Sequence, residues 1–187
     1  MKIYTKKGDD GSTALLFGGR VRKNSPRIEL NGAVDEAQAF IGLARSECER
    51  GGQLDGLLVG LESDLWILMA EVATDGLNRA KLRDGSSAVS SEMVETIERL
   101  IDEISEKFIF PKEFVVPGET RISACLDVAR TVIRRAERLS VSFANENPDS
   151  RVGQYLNRLS DLLWTLARWQ EGAHQTAKSV RNPKKVK

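Results

Sequence analysis

Three stretches of this chain gather side chains suited to holding an anion. The first is Thr5-Lys6-Lys7-Gly8-Asp9-Asp10-Gly11-Ser12-Thr13, a mixture of glycine, hydroxyl and lysine. Glycines let backbone N–H groups approach phosphate oxygens, and lysines bring positive charge. The spacing is neither Gly-x4-Gly-Lys-Ser/Thr nor Gly-x-Gly-x-x-Gly. The stretch therefore reads either as a looser phosphate loop or as a plain N-terminal turn. The second is the row Ser123, Asp127, Arg130, Arg134 and Glu137, with Arg135 and Arg138 beside it. Steps of three and four place this row on one helical face, ~100° from the neighbouring apolar row. Guanidinium groups crowded on one helix repel unless carboxylates or an anion offset them, and their forks match phosphate oxygens. The other reading is a solvated face with i,i+4 ion pairs. The third is Asn157, Asp161, Trp164 and Arg168. It is suited to ordering an arginine or a ligand hydroxyl, or to a structural hydrogen-bond network. Asp35-Glu36, after Gly32, can pair with an arginine of the second stretch, coordinate a metal or face solvent.

Nucleophilic and metal chemistry have little to draw on. His174 is the single histidine, no Gly-x-Ser-x-Gly elbow is present, and one histidine cannot supply a di-iron site. His174 reads as a surface residue. Cys48 and Cys125 are far apart and read as buried thiols in a reducing, cytoplasmic compartment. Trp66, Trp164 and Trp169 read as core. The stretch Met1–Thr5 has no apolar signal core, and no run approaches the ~18 apolar residues of a membrane span.

The 187 residues carry 28 bases and 27 acids, a formal charge of +1 that argues against a dedicated nucleic-acid binder. The total hides segregation. Residues 1–27 are net +5, residues 28–120 net −11, residues 121–177 net +2, and the last ten residues hold five bases and no acid. Two basic regions flanking an acidic middle are placed to converge on a phosphate chain.

The elements that must position these residues are helical. Leu30, Val34, Ala37, Ile41, Ala44 and Cys48 step by four and three, and Gly51-Gly52 stops the helix. Leu54, Leu58, Leu61, Leu65, Leu68 and Val72 repeat the pattern. Residues 74–91 are polar and Gly/Ser-rich, which predicts a loop, with Ser91 as the next N-cap. Val94, Ile97, Ile101, Ile104 and Phe108 form a third row. A connector, Pro111–Glu119, leads to Ile122, Leu126, Ala129, Ile133 and Ala136. Asn147-Pro148 predicts the start of a fifth helix on Val152, Leu156, Leu159, Leu163 and Leu166. The expectation is an all-α, five-helix bundle over residues 26–177, one domain with the loop or short extended segment of residues 1–25. A frayed basic tail follows from 178 to 187.

In order and spacing, three motifs resemble the PduO-type ATP:cob(I)alamin adenosyltransferases. The first is Thr5-x-x-Gly8-Asp9-x-Gly11-x-Thr13 with Gly18-Gly19, Lys23, Arg27, Gly32 and Asp35-Glu36. The second is Phe114-Val115-Val116-Pro117-Gly118 leading to Ala129-Arg130-x-x-x-Arg134-Arg135-Ala136-Glu137-Arg138. The third is Tyr155-Leu156-Asn157-Arg158-Leu159-Ser160-Asp161-Leu162-Leu163 with Ala167-Arg168. The resemblance runs from about Ile3 to Trp169. Glu119 departs from it, standing where the family usually has a second glycine.

The resemblance implies a five-helix bundle assembled as a homotrimer, with active sites at subunit interfaces. It implies transfer of the 5′-deoxyadenosyl group of ATP, taken with Mg²⁺, to the cobalt of cob(I)alamin or of cob(I)yrinic acid a,c-diamide. Thr5, Lys6, Lys7, Gly8, Thr13 and Lys23 would hold the nucleotide and its triphosphate. Arg134, Glu137, Arg138 and Asn157 would line the same ATP site. Arg130 would act near the transferring group, held by an ion pair with Asp35, and Phe114 would lie below the corrin ring. No protein ligand to the Mg²⁺ is assigned. A corrinoid reductase and an adenosylcobalamin-dependent enzyme are the implied partners. The rival expectations are a catalytically silent homologue that delivers ATP or adenosylcobalamin, and a bare bundle with a nucleic-acid-binding tail.

Overall fold

A computed structural model describes residues 3–4, 6–173 and 175–181. Thr5, His174 and residues 182–187, on which expectations above fall, lie outside the described residues.

Five long helices carry the fold: α1 Pro26–Ser46, α2 Gln53–Val72, α3 Ser91–Ser105, α4 Arg121–Glu146 and α5 Val152–Glu171. They pack in the spatial order α2, α1, α4, α5, α3. The two short loops, between α1 and α2 and between α4 and α5, join helices that pack on each other. The two long connectors instead cross the bundle. This order explains how much of each helix is apolar. α5 lies between α3 and α4 and is buried over a wide arc, from Val152 and Tyr155 to Leu166 and Ala167. α3 lies at the edge and buries only Met93, Ile97 and Ile104. A helix with neighbours on two sides needs a broader apolar stripe.

The expected rows on α1, α2, α4 and α5 form the core, with Ile41, Leu58, Leu65, Leu126, Ile133, Leu156 and Leu163 at 0–1% exposure. Each such side chain contributes about 1.5–3 kcal/mol relative to an exposed one. The N-terminal segment forms a small antiparallel hairpin of β1 Ser12–Ala14 and β2 Arg20–Arg22, with Thr13 opposite Val21. Leu15 is buried, and Leu16 N–H donates to Ala73 O at 2.9 Å, which fastens the hairpin to the end of α2. Arg27 Nη1 donates to Val72 O (2.8 Å) and Thr74 O (2.6 Å). It thereby satisfies carbonyls that a helix end leaves without partners.

Several expectations change. Residues 74–91 are organised around a 3-10 helix, Gly76–Lys81, whose cap Asp75 accepts from Leu77 N–H at 3.0 Å. Glu71, 1% exposed, anchors this connector. It accepts from Arg79 Nη2 (2.9 Å), Val89 N–H (2.7 Å) and Ser150 Oγ (2.6 Å). The cap of α3 is Ser90, whose hydroxyl accepts from Met93 N–H; Ser91 is already helical. Asn147 ends α4 rather than starting α5, which begins at Val152, because its side chain turns back to donate to Phe143 O. Ser123 is no ligand candidate within the chain, since it forms a capping box with Thr120 at the start of α4. Trp66 is 64% exposed, one residue around the helix from the Leu65 row. Cys48 and Cys125 are free and half-buried rather than buried. The tail is not frayed at its start: Ala177–Arg181 form a short helix, α6. None of the described helices is long and apolar enough to cross a membrane.

Candidate active site

A cleft of about 930 Å³ opens between the α3–α4 connector, the first half of α4, the second half of α5 and α6. Its walls include Phe114, Val115 and Trp164; Asp127, Arg130 and Arg168 line it from α4 and α5, and Lys112, Glu113, Lys178 and Arg181 from the connector and α6. The volume falls in the upper part of the ~300–1,000 Å³ range usual for small-molecule sites.

The connector is held by its backbone. Val115 bridges Thr176, Val116 N–H donates to Gln175 O (2.9 Å), and Ala177 N–H donates to Phe114 O (2.8 Å). Lys178 pairs with Glu113 at 3.2 Å. The main chain of Phe114 is therefore fixed on both sides, while its side chain is 89% exposed. A fixed backbone presenting an uncovered aromatic ring is a surface prepared for an apolar partner. Gly118 makes the turn into α4 with φ 114°, a region that disfavours side chains. Among the described residues only Lys6 and Phe17 take positive φ without being glycine, so Glu119 needs no glycine backbone. Its carboxylate instead accepts from Gln175 N–H at 3.1 Å, a further stitch between connector and tail. Phe110 lies 5.0 Å from Trp164 and Phe108 lies 6.5 Å from it, centroid to centroid, so Trp164 is backed by two further rings.

The charged floor is a connected cluster. Arg130 Nε donates to Asp127 Oδ1 at 3.0 Å, and Arg168 Nη2 donates to Asp127 Oδ2 at 2.6 Å and to Glu171 Oε1 at 2.8 Å. Arg168 is 2% exposed and Asp127 5%. The pairing of Arg130 with Asp35 is not made within the chain. Asp35 is exposed on α1, and Arg130 takes the carboxylate one turn before it on its own helix.

The N-terminal candidates gather in a separate hollow of about 400 Å³ lined by Lys6, Lys7, Gly8, Thr13 and Lys23, together with Asp9, Ser12, Ala14 and Arg20. Gly8 sits close to its neighbours: a Cβ there would meet Lys23 Nζ at 3.0 Å and Ser12 O at 3.3 Å. Arg20 was not singled out from the sequence. Its Nη2 donates to Lys7 O at 2.6 Å and to Ser12 Oγ, so it shapes the loop from β2. The signal available was its place in the short alternation Arg20-Val21-Arg22. Lys6 holds φ 59°, a left-handed strain that costs ~1–2 kcal/mol and often marks a functional turn.

Arg134 and Arg138 are exposed on α4 and Glu137 is half-buried; Arg138 Nη1 donates to Arg134 O at 2.8 Å. Arg135 pairs with Glu36 of α1. Asn157 is half-buried and its Oδ1 accepts from Arg158 Nη1 at 2.7 Å. Arg134, Glu137, Arg138 and Asn157 line neither hollow. One chain thus presents three surfaces that it does not itself bring together: the basic N-terminal hollow, the exposed α4 arginines and the aromatic cleft. Among the described residues no group of three His, Cys, Asp or Glu forms a metal site.

The family described as cobalamin adenosyltransferase matches residues 3–170. A corrinoid adenosyltransferase of Citrobacter freundii is 38% identical over 173 residues, covering 91% of this chain and 95% of that one. The corrinoid adenosyltransferase PduO of Salmonella typhimurium is 34% identical over 186 residues. There the match takes 99% of this chain and 54% of the relative, so this chain spans about half of that longer protein. Among solved structures, a variant PduO-type ATP:corrinoid adenosyltransferase from Lactobacillus reuteri, complexed with cobalamin and ATP, matches with a TM-score of 0.81 and 31% identity over 91% of each chain.

Proposed function

The chain belongs to the cobalamin adenosyltransferase family, and we propose on that premise that it transfers the 5′-deoxyadenosyl group of ATP to the cobalt of cob(I)alamin. The observation that carries the reading is the cleft in which an uncovered Phe114 and a half-buried Trp164 face a floor holding Arg130. A flat, largely apolar macrocycle fits such walls, and a cation at the floor fits a reaction whose leaving group is anionic.

The chemistry asks little covalent work of the protein. The electron pair of cobalt(I) forms the bond to C5′ as the C5′–O bond breaks. Triphosphate leaves with that bonding pair, and cobalt ends as cobalt(III). No protein nucleophile or base is required, consistent with a site built from arginines, lysines and aromatics. The protein must bring C5′ in line with cobalt, which is worth up to ~7–11 kcal/mol. It must also stabilise the departing charge. Lys6, Lys7, Gly8, Thr13 and Lys23, with Thr5, are assigned to the nucleotide and triphosphate; Arg134, Glu137, Arg138 and Asn157 are assigned to the same ATP site. The substrate is MgATP, its metal carried by the phosphates. Phe114 covers the lower face of the corrin. An apolar ring there excludes water and the dimethylbenzimidazole base without replacing them as ligands. An empty axial position lowers the orbital that accepts an electron, so cob(II)alamin is reduced more easily to cob(I)alamin.

The separation of parts supports a shared site. The N-terminal hollow and the cleft share no residue, and in this reading a complete site is supplied by two copies within a homotrimer. Asp35, exposed and free of Arg130 within its own chain, is the carboxylate that meets Arg130 of a neighbour. Light scattering tests this: the expected mass is three times the 20.7 kDa chain, and a monomer active at assay concentration would refute it. Residues 1–177 act as one adenosyltransferase domain, and the free thiols fit a reducing cytoplasm. Glu119 gives no ground for a silent homologue, since its backbone is ordinary and its carboxylate holds the tail. The direct experiment is anaerobic: protein, MgATP and cob(I)alamin are mixed and the corrinoid spectrum followed. Enzyme-dependent adenosylcobalamin is expected. Tight binding of adenosylcobalamin without turnover would support the delivery reading instead.

A further inference from the structure

Asp127 and Arg168 stand at the floor of the cleft with no role in the chemistry above. We propose that Asp127, locked by Arg168, is a positioning residue that sets the orientation of Arg130 toward the reacting atoms. The proposal rests on the assignment of Arg130 to that region.

The geometry divides the carboxylate of Asp127 between two arginines. Oδ1 accepts from Arg130 Nε at 3.0 Å and Oδ2 from Arg168 Nη2 at 2.6 Å. With both oxygens engaged, the carboxylate cannot rotate about its own axis without breaking one bond. Arg168 is itself immobilised. It is 2% exposed, it donates to Glu171 Oε1 at 2.8 Å, and its guanidinium carbon lies 5.6 Å from the centroid of Trp164. The rigid end of the relay is thus on α5, deep in the bundle, and the adjustable end is Arg130, one-quarter exposed at the cleft. Arg130 is gripped by Nε, the inner edge of its fork. This grip leaves the terminal amino groups for the Asp35 carboxylate of a neighbouring copy and for the cleft side.

The cluster holds two bases and two acids, so its charge balances, but its hydrogen bonding does not. Arg168 Nε and Glu171 Oε2 are buried and have no partner among the described residues. A buried ion cluster with unmet bonds is a poor way to stabilise a bundle, and apolar side chains would serve at least as well. Its placement directly behind Arg130 points to orientation as its use. Misplacing a reacting or stabilising group by about 1 Å can cost ~100-fold in rate.

The test compares Asp127→Asn, Arg130→Ala and the double variant, using MgATP and preformed cob(I)alamin. Asp127→Asn is expected to lower kcat by about 10- to 100-fold with KM for ATP changed by about twofold or less. In the Arg130→Ala background the same change is expected to have no further effect on kcat. A wild-type kcat in Asp127→Asn overturns the proposal, as does an equal loss in both backgrounds, which is what a merely structural role produces. A wild-type kcat in Arg130→Ala overturns the proposal together with the site assignment. If Asp127→Asn loses its helical circular dichroism, Asp127→Glu takes its place in the cycle. It keeps the charge and moves the carboxylate by one methylene, so a folded Asp127→Glu with reduced kcat supports the relay and one with wild-type kcat overturns it.

Discussion

Replacing Phe114 by alanine separates folding, binding and redox contributions in one variant. The side chain is 89% exposed, nearly as open as in an unfolded chain, so its loss removes almost no buried area. The melting temperature is expected to stay within about 2 °C, given ~2–4 °C per kcal/mol for a chain of this size. Binding is another matter. A phenylalanine side chain offers ~150–250 Å², and a flat corrin covers one face, about 100 Å². At ~25 cal/mol per Å² that contact contributes about 2.5 kcal/mol, or ~60-fold at ~1.4 kcal/mol per decade. This contact is the same whether cobalt is in the I or the II state, so it acts equally on both routes. The loss specific to cob(II)alamin comes on top, because water or the dimethylbenzimidazole base regains the lower axial position. The assay is turnover from preformed cob(I)alamin beside turnover from cob(II)alamin with a reductant. Up to about 60-fold loss in kcat/KM is expected on the first route, and a larger loss on the second. The cob(II)alamin spectrum should also lose its four-coordinate signature when MgATP is present. Equal losses on both routes would refute the axial role, and a clear fall in melting temperature would refute the argument from exposure.

Arg134→Ala removes an exposed guanidinium, so the melt should not move. Loss of a charge-assisted hydrogen bond of about 1.5–3 kcal/mol should raise KM for ATP by roughly 10- to 100-fold, and an unchanged KM removes Arg134 from the site. Glu71→Ala leaves Arg79, Val89 N–H and Ser150 without their acceptor. A cost of about 3–5 kcal/mol should lower the melting temperature by about 10 °C, and an unchanged melt would refute the anchoring role of Glu71. Tyr155 donates to Asp64 Oδ2 at 2.9 Å, and burial, with the nearby Asp64 carboxylate, holds its phenol well above the ordinary value of 10.0. The folded chain keeps that proton at a pH where the unfolded chain releases it, so its stabilisation is present below pH 10 and lost as pH rises above it. Melts from pH 8 to 11 should show the advantage of wild type over Tyr155→Phe shrinking with pH; a constant difference would refute the linkage.

The helical rows were legible because their information is local. Leu54 to Val72 and Leu126 to Ala136 repeat at the period of the helix itself, and burial of one face is all that the pattern asks. The site motifs were legible for a related reason. Lys6 to Thr13 lie on one short loop and the strand it leads into, and Arg130 to Arg138 on one helix, so their grouping needs no knowledge of what packs beside them. Glycine at position 8 was visible, but the neighbours that crowd it, Lys23 Nζ 3.0 Å and Ser12 O 3.3 Å from where a Cβ would be, appear only once the hairpin pairs. The tail was unreadable from composition, because its order comes from bonds between Gln175–Ala177 and the connector at Phe114–Val116, far back in the chain. Asp35 was a reasonable partner for Arg130 in charge and motif, yet Asp127 takes that arginine within the chain. Residue types and periodicity alone determined the helical elements, the basic groups suited to a triphosphate and the family motifs. The packing order α2, α1, α4, α5, α3 decided that Arg168 of α5 reaches Asp127 of α4 and which aromatic rings stay uncovered. Those outcomes depend on distances between residues that only the assembled bundle brings together.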